Sequence, residues 1–205
     1  MTLLTDNEQQ QVAAAIAELE QQTDAELVTV LAASSDDYTY IPLLWAGILA
    51  LLVPGALNFF GGWLGVNGLL AAQWGLFITL CLLFRVSGAS HWLVPRRVRF
   101  WRASNMARRQ FLEQNLHHTD GGTGVLIFVS EAEHYVEILV DQGISEKIEN
   151  RVWEGIVSDF TAKVRQGRTL EGFLDCIGSC GGHLKSHVPA TREKNELPNH
   201  LIVLG

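Results

Sequence analysis

Between Tyr38 and Phe84 the sequence has no Asp, Glu, Lys, Arg or His, so 47 consecutive residues carry no charge. A uniform soluble domain rarely leaves so long a segment uncharged. The 205 residues therefore read as two populations rather than one. Lys and Arg are missing from residues 1–37, which hold eight acids, and acids are missing from residues 85–109, which hold seven Arg. The net charge of −7 is the remainder of these opposed segments, which excludes both a wholly acidic surface and a generally basic nucleic-acid-binding domain. Cysteine is scarce: the three at 81, 176 and 180 form no disulfide framework and agree with a reducing compartment. The opening Met-Thr-Leu-Leu-Thr-Asp-Asn-Glu has neither the positive region nor the apolar stretch of a secretory signal.

The uncharged stretch divides at Gly61-Gly62-Trp63-Leu64-Gly65-Val66-Asn67 into runs at Ile41–Phe60 and Gly68–Phe84. At about 1.5 Å per residue the first crosses a hydrocarbon layer of about 30 Å and the second nearly does. A transmembrane helical hairpin over 38–84 is expected, with a tolerated kink at Pro54-Gly55. Tyr38, Tyr40, Phe59, Phe60, Trp63 and Trp92 fall near the expected interfaces. The alternative is a buried helical hairpin inside a soluble core.

Two spans put both termini on one side. The arginines after the second span, set against an uncharged connecting turn, make that side cytoplasmic at the inner membrane. Arg96, Arg97, Arg99, Arg102, Arg108 and Arg109 belong to a juxtamembrane helix over 85–118 opened by Pro95, with Val98, Phe100, Trp101, Phe111 and Leu112 among them. Such a helix suits the headgroup layer and anionic lipid. A flank that merely fixes orientation fits equally well. Nucleic acid is not expected as a partner, because the patch adjoins the span.

The flanking segments carry soluble-domain patterns. Thr5 and Glu8 form a capping box before the helical stripe Val12, Ile16, Leu19, predicting a helix over 6–22. Ala25–Leu31 and Gly124–Ser130 read as strands, the second apolar enough to be central. Tyr135–Val140 pairs with the latter as an antiparallel hairpin across Glu131–His134. Ser145 and Thr169 are expected to cap two further helices, with stripes at Ile148, Val152, Ile156, Phe160 and at Phe173, Ile177, Cys180, Leu184. Residues 1–37 cannot bury a core alone. The fold class is therefore α/β, a small mixed sheet flanked by helices, assembled from 1–37 and 119–188 around the insert. Residues 189–205 form a polar tail whose Leu-Ile-Val-Leu adds a short edge strand.

Thr23-Asp24-Ala25-Glu26-Leu27-Val28, the Gly-x-Gly-Val-Leu-Ile-Phe-Val-Ser strand, Val-Glu-Ile-Leu-Val-Asp-Gln-Gly-Ile and the two closing helices resemble a TPM domain over about residues 6–188. The hairpin is inserted after the first strand. The resemblance implies a compact α/β sandwich attached to a membrane and a role in assembly or repair of a membrane complex. It also implies calcium binding and acid phosphatase activity for some members. Many relatives carry the domain outside the cytoplasm, and this sequence departs from them there.

Chemistry-bearing motifs are few. Asp120-Gly121-Gly122-Thr123-Gly124 precedes a strand, whereas a phosphate loop follows one and opens a helix, so it reads as a turn. Cys176, Cys180, His183 and His187 span about 16 Å along a helix, too far to surround one ion. His117-His118 reads as a surface pair at a helix end. Asp36 and Asp37 end the first strand while Glu131 and Glu133 follow the second. Parallel pairing of those strands would gather four carboxylates at one edge, hard oxygen ligands suited to Ca or Mg. A metal-dependent acid phosphatase-like hydrolase would need such a cluster; four solvated turn acids are the plain alternative. The leading expectation is a membrane-anchored interaction or assembly module within a membrane protein complex, with the hydrolase as alternative and no cofactor required.

Overall fold

The computed structural model describes residues 4–60, 65–86, 94–191 and 201–204. Trp63, Trp92, most of the Gly-rich connecting turn and most of the polar tail lie outside the described residues. The chain divides into two compact units, one of residues up to Ser35 and from Phe100 onward, the other Asp36–Arg99.

The first unit is a four-stranded mixed sheet with helices on both faces. Helix α1 (Asp6–Glu20) begins at the expected capping box: the Thr5 hydroxyl accepts from the Glu8 amide, and the Glu8 carboxylate accepts from the Thr5 amide at 2.7 Å. Strands β1 (Glu26–Ala32) and β2 (Gly124–Ser130) pair in parallel from Glu26 opposite Gly124 to Ala32 opposite Ser130. Strand β3 (Tyr135–Val140) returns antiparallel to β2, and β4 (Leu201–Leu204) lies parallel to β1, giving the order β3-β2-β1-β4. Every residue of β1 and β2 is buried, as a central pair covered on both faces requires.

Alternation along these strands assigns each side chain to a layer. Leu27, Leu31, Val125, Ile127 and Val129 enter one core with Val12 and Ile16 of α1, Trp153 and Phe160 of one later helix, and Phe173 and Leu184 of another. Val28, Val30, Leu126 and Phe128 enter a second core against Ala103 and Ala107 of the basic helix Arg96–Glu113. That helix meets the sheet through small residues one turn apart, which lets its backbone approach the large Phe128.

Two expected caps fall elsewhere. Ser145 ends a one-turn helix (Gln142–Ser145) that Asp141 opens by accepting from the Gln142 amide at 2.8 Å. The Ser145 hydroxyl is spent on the Gln142 carbonyl, and the next helix starts at Asn150. Thr169 is already the first residue of its helix, because its hydroxyl donates to Glu131 at 3.0 Å instead of capping. In chain order the helices are α1, α2 (Tyr40–Phe60), α3 (Val66–Val86), α4 (Arg96–Glu113), α5 (Gln142–Ser145), α6 (Asn150–Arg165) and α7 (Thr169–His187).

The Asp120–Gly124 segment is a turn, with Gly121 and Gly122 at φ +86° and +64°. It sits tightly on the β3–α5 junction. A Cβ on Gly143 would stand 2.0 Å from the Gly121 carbonyl oxygen, so no larger residue fits there without displacing backbone.

The second unit is an α-hairpin. Helices α2 and α3 are each long and apolar enough to cross a membrane. Their packing uses small groups: Ala46 and Ala50, one turn apart, are buried, while Leu43, Leu44, Leu51, Leu52, Phe59 and Phe60 are exposed. The Thr79 hydroxyl donates to the Gly75 carbonyl at 2.7 Å, so this polar group is satisfied inside its own helix. Tyr38 corrects an expectation: it is fully buried with Ile41 and Val94 rather than placed as an interfacial aromatic, and Tyr40 is the exposed one.

Candidate functional site

The parallel register of β1 and β2 brings Ala32 beside Ser130, and the chains leave together at this end of the sheet. Backbone pairing continues past the strands, from the Glu131 amide to the Ala32 carbonyl and from Ala132 to Ala33, both at 3.0 Å. The β2–β3 turn closes with His134 at φ +48° and its amide on the Glu131 carbonyl.

Glu133 points inward from that turn and is 2% exposed. Its carboxylate accepts from the Ser130 hydroxyl, from the Ser34 hydroxyl at 3.3 Å and from the Ser35 amide at 3.2 Å. The Ser35 hydroxyl in turn donates to Ser130 at 2.8 Å. Glu133 thus ties the end of β1 to the turn after β2, and its oxygens are committed to protein donors. Glu131 lies on the other side of the turn, where it accepts from Thr169. Asp36 accepts from the Tyr38 amide at 3.2 Å within the hairpin unit, and Asp37 lines a cavity of that unit. Glu131 and Glu133 thus take separate partners within the α/β unit, while Asp36 and Asp37 belong to the hairpin unit. Among the described residues no group of three or more His, Cys, Asp and Glu is arranged to hold a metal ion.

Beside Glu131 lies a cleft of about 880 Å³ that no sequence pattern announces, to which His134, Arg165, Arg168, Thr169 and Glu171 contribute. The α6–α7 junction supplies both arginines, turning at Gly167 with φ +73°. Arg168 is held by both oxygens of Glu171 at 3.0 Å and also donates to Gln166 at 2.5 Å. A hydrogen bond from Lys163 holds the Glu171 carboxyl below its ordinary range. Arg165 has no carboxylate partner among the described residues. The Gln-Gly pair between two helical stripes was the available signal for this junction, but nothing in the spacing joined it to Glu131.

The cysteine–histidine ladder of α7 splits by face. Cys176 and Cys180 are buried with sulfurs 4.0 Å apart, and the neighbouring thiol and burial push the Cys176 thiol up. His187 is exposed, its Nδ1 2.8 Å from the His183 carbonyl. His117 and His118 are exposed with ring centres 4.0 Å apart.

The arginines of α4 do not form one face. Arg96, Arg97, Arg108 and Arg109 are exposed, whereas Arg99 and Arg102 are half-buried, the latter lying 5.0 Å from the Trp101 ring centre. Trp101 and Leu112 project outward. Toward the sheet, Ser104 donates to Glu137, which also accepts from the Tyr135 hydroxyl at 3.0 Å. Burial and the Glu137 charge push the Tyr135 hydroxyl up to about 12, so it stays a donor.

No curated protein matches the chain. The fold is similar to the NMR structure of BA42 protein from the psychrophilic bacterium Bizionia argentinensis, at TM-score 0.61 and 17% identity, covering 98% of this chain and 94% of that one. At that identity the likeness shows the fold alone. Residues 99–182 match the family model of the TPM domain. That segment takes in β2, β3, α5, α6 and most of α4 and α7, and over it the chain is similar to the TPM domain.

Proposed function

We propose that the protein is an integral inner-membrane protein in which a cytoplasmic TPM domain, held at the bilayer by α2 and α3, serves as an interaction module in assembly or maintenance of a membrane protein complex. One observation carries the membrane reading: α2 and α3 leave most of their large side chains exposed. Among the described residues, all exposed large hydrophobics except Trp101, Leu112 and Val203 belong to these two helices. A soluble core hairpin would have the opposite pattern. Orientation follows from seven Arg between residues 85 and 109 against an uncharged connection. Trp101, Leu112, Arg97, Arg108 and Arg109 give α4 the composition of a helix facing anionic headgroups.

Carbonate washing is expected to leave the protein in the membrane pellet. Reporters fused at residues 1 and 205 are both expected to read as cytoplasmic, and a periplasmic signal from either would refute the orientation. Crosslinking in native membranes followed by mass spectrometry identifies the partner.

The alternative, a divalent-metal-dependent acid phosphatase-like hydrolase, is favoured by one observation, the cleft that sets Arg165 and Arg168 beside Glu131. Against it stand the commitment of Glu131 to Thr169 and of Arg168 to Glu171. Millimolar Ca or Mg is accordingly expected to leave the melting temperature unchanged. A rise abolished by Glu131→Gln would restore the hydrolase reading.

A further inference from the structure

The hairpin unit contains a cavity of about 550 Å³ where α2 begins and α3 ends. Its lining is divided by chemistry. Asp37, Thr39 and Arg85 are polar; Pro42, Leu43, Cys81, Leu82 and Phe84 are apolar. Asp37 and Arg85 border the same cavity, yet no ion pair joins them, and neither has another ionic partner among the described residues. Two opposite charges left apart across a cavity whose remaining wall is apolar match a ligand that carries both signs and an apolar tail.

We propose that this cavity binds a phospholipid whose headgroup carries a primary ammonium, of the phosphatidylethanolamine type. The inference rests on the membrane reading of α2 and α3. Arg85 supplies a planar set of donors for the phosphate. Asp37 accepts from the ammonium in a charge-assisted bond. Leu43, Leu82 and Phe84 border the first acyl carbons. The placement is consistent with the bilayer: Asp37 and Thr39 precede the first turn of α2, and Arg85 lies in the last turn of α3, so the polar part sits at the headgroup level of both spans. A phosphoglycerol headgroup would leave Asp37 facing a net negative charge. A quaternary choline would offer Asp37 no N–H donor. Both are therefore weaker ligands.

The test uses the full chain, purified in detergent, stripped of lipid and examined by native mass spectrometry with added dioleoyl-phosphatidylethanolamine, -phosphatidylglycerol or -phosphatidylcholine. The ethanolamine lipid is expected to be retained roughly fivefold to tenfold better than either competitor, the size expected for one charge-assisted hydrogen bond at a partly solvated site. Asp37→Asn is expected to erase that preference, and Arg85→Gln to weaken retention of every phospholipid. Circular dichroism of each variant verifies that the helices persist. Equal retention of the three lipids overturns the proposal, as does a preference that survives Asp37→Asn. A phosphatidylglycerol preference independent of Asp37 also overturns it and assigns the binding to the arginines alone. Failure of the membrane reading is seen separately, as release of the protein by carbonate.

Discussion

Leucine behaves in opposite ways in the two units. Leu27 and Leu31 of β1 are 1% and 0% exposed, whereas Leu51 and Leu52 of α2 are 70% and 63% exposed. In the α/β unit large residues fill the interior and polar ones cover it, because water drives apolar surface inward. In the hairpin most large side chains of α2 and α3 stay exposed, with Ala46 and Ala50 among the few buried residues of α2, an arrangement that suits a solvent as apolar as leucine. Aliphatic content alone does not distinguish the two, since both units are rich in aliphatic residues. The direction in which the large side chains point does.

The largest expected effects invert this contrast. Phe128→Ala removes a fully buried ring between β2 and α4 and is expected to destabilise the α/β unit by about 3–5 kcal/mol, read as an early loss in chemical denaturation. Leu51→Ala should leave that transition untouched. Leu51→Arg, near the middle of α2, opposes insertion by about 3 kcal/mol and is expected to reduce the carbonate-resistant fraction. If Leu51→Arg is inserted normally while lowering the denaturation midpoint of the α/β unit, α2 is packed against protein and the contrast fails.

A smaller effect separates the acids. Glu133 joins two chain segments through Ser34, Ser35 and Ser130, whereas Glu131 makes a single bond to Thr169. Glu133→Ala leaves buried donors without an acceptor and is expected to destabilise by about 1–3 kcal/mol, or roughly 2–4 °C in Tm per kcal/mol for a chain of this size. Glu131→Ala should stay well below it. Equal losses would mean that burial of Glu133 contributes nothing beyond its position in the turn.

Much of the scaffold is legible in the sequence because local signals and burial agree. The Thr5–Glu8 box, the continuous apolar run of β2 and the short return to β3 each state their own structure, and the long insertion between β1 and β2 leaves room for the parallel pairing that the structure shows. The expected caps at Ser145 and Thr169 give way to competition: Asp141 opens a separate one-turn helix that ends at Ser145, and Glu131, distant in sequence, captures the Thr169 hydroxyl. Adjacency in sequence places carboxylates near strand ends, and the direction in which each one turns depends on donors elsewhere in the chain. Glu133 turns inward because serines on both segments offer it donors, a pairing across 95 or more residues that no local pattern encodes.

Within the α/β unit, Glu20 is an ionisable group largely withdrawn from solvent. Its carboxylate, at the end of α1, accepts from the Leu27 amide at 3.0 Å, while its other oxygen is buried with no hydrogen-bond partner among the described residues. Burial raises its pKa to about 7, against the opposing Leu27 bond and with a further push from Glu26. The unfolded chain ionises this group near 4.5, so between that pH and about 7 the native state holds a proton that the unfolded state has lost. Stability from this group therefore falls as pH rises through that window and is lowest above it. Glu20→Gln preserves an acceptor for Leu27 and removes the charge. It is expected to change little at pH 4.5 and to stabilise at pH 8 by about 1 kcal/mol, reduced from the full shift because the group is partly solvated. The difference in Tm between variant and parent should thus grow by a few degrees across the window. A difference that is flat with pH would show that water reaches Glu20 freely, and that the interior of this unit is less distinct from its surface than its packing indicates.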